Sequence, residues 1–140
     1  MALVTGAGSP DGIGFATARL LYSVGARVAI TSTTDRINQR CDEIKGTSED
    51  VFSQTADLTD STAVNSLIEQ IENVLGPIEI VINNAGMVQI GRDEPSTLFH
   101  EVSDEQWRYG IDINLTSAFM VTRAVLPGMM ERNYGRIINI

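Results

Sequence analysis

The order of its apolar runs constrains this chain more than any other feature. Short β-type runs alternate with longer runs at helical spacing, the mark of a parallel α/β architecture. Ala2-Leu3-Val4-Thr5 reads as a brief buried strand that leads straight into a glycine-rich loop. From Gly12 a helix is expected, with Ile13, Ala16, Leu20, Leu21 and Val24 as its apolar stripe and Gly25 as its stop. Arg27 to Thr31 reads as the second strand. Asp35 then stands where it can cap a short helix whose inner face is Ile37, Cys41 and Ile44. Val51 to Thr55 reads as the third strand.

The third helix carries the clearest stripe. Asp60 precedes it, Val64, Leu67, Ile68, Ile71 and Leu75 share one face, and Gly76-Pro77 stops it. Ile78 to Ile82 suits a central strand, and the loop after it is roughly fifteen residues long, more than a plain connector needs. Ser103-Asp104-Glu105-Gln106 reads as a capping box. It opens one long fourth helix carrying Trp107, Ile111, Leu115, Phe119, Thr122, Val125 and Leu126, with Pro127 bending or ending its last part. Gly135 to Ile140 reads as strand five. Right-handed crossovers through this alternation predict a doubly wound, Rossmann-type parallel sheet in the order 3-2-1-4-5, cut off within strand five. A ligand is then expected at the switch point between strands 1 and 4.

A length of 140 residues fits a single domain, residues 1–140, with a substantial core. Ten basic against eighteen acidic residues give a net charge of −8, which argues against non-specific nucleic-acid or anionic-membrane binding. A small anion can still bind where backbone N–H groups converge. Cys41 is the sole cysteine, so the chain forms no internal disulfide, offers no metal-ligand spacing and suits a reducing cytoplasm. No segment reads as a membrane span, and the start carries neither the basic region nor the apolar run of a signal peptide. The Asn114-Leu115-Thr116 acceptor pattern carries no meaning in a cytosolic protein.

Thr5-Gly6-Ala7-Gly8-Ser9-Pro10-Asp11-Gly12-Ile13-Gly14 lies between the first strand and the first helix. Glycines there let the backbone turn tightly and approach a pyrophosphate, while the helix N-terminus offers N–H donors. This stretch resembles the TGxxxGxG loop of short-chain dehydrogenases/reductases, and Asn83-Asn84-Ala85-Gly86 resembles that family's NNAG motif after strand four. Ala56-Asp57-Leu58 is similar to the acidic position that contacts the adenine. Asn114 resembles the family's helix-four catalytic asparagine, and Gly135 to Ile140 its strand five. The motifs follow in order over essentially the whole chain, in the manner of 3-oxoacyl-acyl-carrier-protein reductase-like members. One departure is visible. Five residues separate Gly6 from Gly12 where the family pattern has three.

The resemblance implies a dinucleotide cofactor held by Gly6, Gly8, Ser9, Gly12, Ile13, Gly14, Ser32, Thr33, Arg36, Asp57, Leu58, Asn84, Ala85 and Gly86. Ser32 stands where an NAD-type aspartate would bond the ribose hydroxyls, and the nearby hydroxyls with Arg36 favour the 2′-phosphate of NADP over NAD. Asp35 either caps its helix or turns to the ribose. Asp57 is either an adenine contact or a solvated carboxylate, and Asn83 either ties strands or shapes a turn. His100 reads as a solvent-facing or packing residue, Cys41 as a small apolar filler, and Trp107 as packing for helix four.

The family's proton chemistry needs a serine after strand five and a Tyr-x-x-x-Lys on the following helix. Tyr109 and Tyr134 are followed four residues later by Ile113 and Ile138, and Lys45 is the only lysine. Asn114 is then a remnant of the catalytic set, and the chain as it stands is expected not to turn over a carbonyl or alcohol substrate. Ending on Ile137-Ile138-Asn139-Ile140 leaves an apolar edge, so homo-oligomerisation through that edge or through helix four is expected.

Overall fold

The computed structural model describes residues 1–46, 48–86 and 98–140. Five parallel strands, β1 (Ala2–Thr5), β2 (Val28–Ser32), β3 (Val51–Thr55), β4 (Ile80–Asn83) and β5 (Arg136–Asn139), form one sheet in the order β3-β2-β1-β4-β5. This is the doubly wound, Rossmann-like order expected from the alternation. Register is set along the central strands by Leu3 opposite Ala29 on one side and Val81 on the other. β1 is wholly buried because both of its faces meet helices. The long loop expected after β4 falls largely outside the described residues.

Helices α1 (Ile13–Ser23), α2 (Arg36–Lys45) and α3 (Ser61–Leu75) cross between successive strands. One core layer places Val4, Phe15, Ala18, Ile30, Ile37 and Cys41 under α1 and α2. The other places Leu3, Leu67, Ile71, Val81, Val121 and Val125 under α3 and the last helix. The α3 stripe is the one expected, and Asp60 caps it by accepting the Thr62 N–H at 2.8 Å. Ile37, Cys41 and Ile44 of α2 are buried as expected. Asp35 does precede α2, but its side chain makes no cap hydrogen bond; its own backbone is already helical, which does not suit side-chain capping.

Helix α1 corrects the sequence reading. Ile13, Ala16, Leu20 and Val24 face outward, while Gly14, Phe15 and Ala18 are buried. Two apolar stripes at helical spacing coexist in this segment. The inner one contains the glycine that lets the helix start close against the sheet.

The expected long fourth helix is three pieces: α4 (Asp104–Ile111), a π-helical turn over Asp112–Thr116, and α5 (Ser117–Glu131). The Ser103–Gln106 capping box forms in both directions. The π turn inserts an extra residue into the repeat and rotates the helix beyond it. The core face of α5 is accordingly Ser117, Val121, Val125 and Met129. Trp107, Ile111, Leu115, Phe119 and Leu126 are exposed, so of the apolar residues expected on this helix only Val125 is buried. Among the described residues, Trp107 belongs to neither core cluster and is 58% exposed. α5 runs through Pro127 to Glu131, so the proline does not end it.

Candidate functional site

Thr5 is the hub on which the site is built. Its Oγ1 accepts the N–H groups of Asn84 at 3.0 Å and Ala85 at 2.9 Å, and donates to the Ile82 carbonyl at 3.3 Å. The side-chain amide of Asn84 returns the tie, donating to the carbonyls of Thr5 at 3.0 Å and Gly6 at 3.2 Å. The end of β4 and the glycine loop after β1 are thus locked side by side. Gly6 sits at φ +70°, and a β-carbon there would fall 2.7 Å from the Ala85 Cα, so both its conformation and its surroundings demand glycine.

Asn83 extends the tie across the sheet. Its amide donates to Thr122 Oγ1 at 3.1 Å and Asn139 Oδ1 at 2.9 Å, binding β4 to α5 and β5. Of the two readings open for this residue, the strand-tying one holds.

A cavity of about 500 Å³ opens at the carboxyl ends of the strands. Gly6, Gly8 and Ser9 enter it from the β1 loop, Ser32, Thr33, Thr34 and Arg36 from the end of β2, and Ala56, Asp57, Leu58 and Thr59 from β3. Ala85 and Gly86 come from the end of β4; Tyr109, Ile113 and Ser117 close it from the helical side. This is the place a doubly wound sheet offers a ligand, where strand order reverses between β1 and β4.

The other sequence-predicted residues lie just behind the wall. Gly12, Ile13, Gly14 and Asn84 do not line the cavity. Asn84 holds the loop instead, and Gly14 lets it do so: a β-carbon at Gly14 would lie 2.5 Å from the Asn84 Nδ2. Gly12 precedes α1 and no side chain caps that helix, so the first-turn N–H groups of Ile13 and Gly14 remain available to an anion. Asn114 lies in the π turn and donates to the Gly110 carbonyl at 2.8 Å. Its Oδ1 abuts the rim, since a β-carbon on Gly86 would come within 2.7 Å of it.

Sequence reasoning missed Thr34, Ala56, Thr59, Tyr109, Ile113 and Ser117. The first three adjoin residues already singled out. Tyr109, Ile113 and Ser117 recur every four positions, a helical stripe legible in the sequence but overshadowed by the more apolar one beside it.

Among the described residues, two charges face the cavity. Asp57 Oδ1 accepts both the hydroxyl of Thr59 at 2.7 Å and its N–H at 2.9 Å. These bonds, the hydroxyl first, hold its carboxyl below the ordinary aspartate value. Arg36 supplies the cation, its Nε donating to Thr34 Oγ1 at 3.2 Å. The arrangement suits an elongated, polar, partly anionic ligand laid along the strand ends, with glycine backbone at one part and a guanidinium at another.

Comparison with known proteins bears on what that ligand is. The family model for short chain dehydrogenase matches residues 1–140. The chain is 39% identical over 140 residues to the 3-oxoacyl-(acyl-carrier-protein) reductase FabG of Haemophilus influenzae, covering 100% of this chain and 54% of that protein. It is 33% identical to the 2,3-dihydro-2,3-dihydroxybenzoate dehydrogenase of Bacillus subtilis, covering 100% of this chain and 51% of that one. Among solved structures, an actinorhodin polyketide ketoreductase with NADPH superposes with a TM-score of 0.86 at 33% identity, over 99% of this chain and 51% of that one. A metagenomic short-chain oxidoreductase in complex with NADP gives a TM-score of 0.84 at 32% identity, over 99% of this chain and 60% of that one. The chain spans about half the length of the curated relatives it matches. It belongs to the short chain dehydrogenase family.

Proposed function

We propose that this short chain dehydrogenase chain is a single nucleotide-binding domain of an NADP(H)-dependent oxidoreductase acting between a carbonyl and a secondary alcohol, with NAD the less favoured cofactor. The observation that carries this reading is the convergence of loops from four neighbouring strand ends on one cavity, glycine-lined at β1 and bearing Arg36 at β2. NADPH and NADP named with the two structural relatives support the same cofactor class.

In this reading the loop of Gly6, Gly8 and Ser9, with the free N–H groups at Ile13 and Gly14, receives the pyrophosphate. Ser32, Thr33 and Arg36 surround the adenosine ribose and favour its 2′-phosphate, and no carboxylate stands at the Ser32 position to repel that group. Asp57 and Leu58 border the adenine; Asp57 Oδ2 remains to accept from an amino group while Oδ1 is held by Thr59. Ala85 and Gly86 leave backbone against the far end of the cofactor, beside Asn114. The cofactor, when bound, supplies or accepts the hydride. Proton transfer needs a serine and a Tyr-x-x-x-Lys that this sequence does not hold, so on its own the chain binds nucleotide without turnover and Asn114 is the one catalytic-type residue in it.

Isothermal titration of the chain with NADPH and NADH tests this. Saturable binding of NADPH, tighter than NADH, is the expected result; no saturable heat with either overturns it. A second reading, a nucleotide-binding module without catalysis, is favoured by Lys45 being the only lysine. Consumption of NADPH by the chain alone with a generic ketone would exclude that second reading and, equally, the absence of turnover assigned to the chain above.

Among the described residues no helix is long and apolar enough to cross a membrane. The lone, buried Cys41 suits the reducing cytoplasm. The exposed Trp107, Leu115 and Phe119, together with Ile138 and Ile140 at β5, support self-association through the α4–α5 face or the β5 edge. Light scattering across a dilution series tests that assembly, and a mass that stays monomeric at every concentration excludes it.

A further inference from the structure

We infer that Thr34 is a specificity-determining residue that positions Arg36 for the 2′-phosphate of the cofactor; this rests on the NADP(H) reading above. Thr34 is two residues past the end of β2, in a turn held by its neighbours. Ser32 Oγ donates to the Thr34 carbonyl at 2.9 Å and receives the Thr34 N–H at 3.4 Å. Gly8 backs this turn closely, since a β-carbon there would fall 2.9 Å from Ser32 Oγ. The backbone that carries the Thr34 hydroxyl is therefore held by Ser32, which the glycine loop backs closely at Gly8.

That hydroxyl accepts from Arg36 Nε at 3.2 Å. An exposed arginine ordinarily samples many rotamers, and ordering it on binding opposes affinity. Here one edge of the guanidinium is already engaged, while its two terminal amino groups have no partner among the described residues. Those groups are the fork that grips a phosphate with two parallel hydrogen bonds. Both residues line the cavity, so the pre-set fork belongs to the site itself. A lysine at position 36 would lack the Nε through which the threonine acts. A threonine that worked only by stabilising the turn would affect NADPH and NADH alike.

Calorimetric titration of the chain with both nucleotides separates these possibilities, using Thr34→Val, Thr34→Ser and Arg36→Ala. Thr34→Val is expected to weaken NADPH about fivefold, the equilibrium weight of one hydrogen bond, and to leave NADH within about twofold. Thr34→Ser, which keeps the hydroxyl, restores NADPH affinity. Arg36→Ala weakens NADPH by roughly tenfold or more, again sparing NADH. If Arg36→Ala weakens NADPH and Thr34→Val does not, or if Thr34→Val weakens both nucleotides equally, the positioning role is overturned and the NADP(H) reading stands. If Arg36→Ala has no effect on NADPH, or the chain binds neither nucleotide, the reading itself falls and this inference with it.

Discussion

Asn84 and Thr5 hold each other twice: the Asn84 N–H rests on Thr5 Oγ1 at 3.0 Å, and the Asn84 amide rests on the Thr5 carbonyl at 3.0 Å. The pair joins the ends of β1 and β4, the two parallel strands between which the strand order reverses and the cavity opens. Thr5 is 1% exposed, so water cannot replace what its hydroxyl gives. Thr5→Val keeps the shape and leaves the N–H groups of Asn84 and Ala85 without an acceptor. It is expected to cost about 2 kcal/mol in urea denaturation, while Thr5→Ser stays within about 1 kcal/mol of the parent.

Gly14 predicts a second effect. Its surroundings, not its φ, exclude a side chain: a β-carbon would meet Asn84 Nδ2 at 2.5 Å and the Gly6 carbonyl oxygen at 2.9 Å. Gly14→Ala must push α1 off the sheet or break the Asn84 tie, and thermal melting is expected to show a loss of about 1–3 kcal/mol. Gly12→Ala is the control. Its β-carbon would come no closer than 3.1 Å, to Ser9 Cβ, and is expected to cost under about 1 kcal/mol.

Asp57 carries a pH dependence of defined sign. The Thr59 hydroxyl and N–H hold its folded-state pKa below the ordinary value. The carboxylate's contribution is therefore fully present above the unfolded aspartate value of about 3.9 and is lost as pH falls through the lower folded value. Asp57 is exposed, so the energy involved is small. NMR titration of the Asp57 carboxyl should place its midpoint below about 3.9, and Thr59→Val should move it upward. A midpoint unchanged by Thr59→Val would mean that the hydroxyl is not its cause.

Legibility in the sequence followed how many kinds of residue could satisfy a position. The α3 stripe was readable because one face is apolar and the rest polar, and strand order came from alternation and crossover hand. The glycine loop, Asp57 and Ala85-Gly86 were readable as cavity residues because close backbone approach admits few residue types. Helix α1 was misread because it is apolar on two sides, so periodicity alone could not say which side meets the sheet. Asn84 and Gly14, expected beside the ligand, do not line the cavity, and the Asn84 amide ties the glycine loop from behind it. The inner face of α5 was mostly missed because Ser117, Val121, Val125 and Met129 continue the less apolar stripe of Tyr109 and Ile113, which stands beside a more apolar one. The π turn at Asp112–Thr116 also displaces later residues by one position in the repeat.

That displacement gives the last prediction. A continuous α-helix through Trp107, Ile111, Leu115 and Phe119 would present these residues together as one packing face. After the π turn at Asp112–Thr116, the face on the sheet is Ser117, Val121, Val125 and Met129 instead, and Leu115 is 63% exposed. The Ser117 hydroxyl donates to the Ile113 carbonyl at 2.9 Å, a partner for the ladder where the turn interrupts it. Val121→Ala is expected to destabilise by about 2 kcal/mol, from lost burial plus a cavity between α5 and β4. Leu115→Ala is expected to stay within about 0.5 kcal/mol when measured on the dilute, monomeric chain. Equal costs at the two sites would contradict the burial of Val121 and the exposure of Leu115. The same Leu115→Ala chain, concentrated, reports separately on assembly: weaker self-association with unchanged monomer stability would locate the contact on the outer face of this helix.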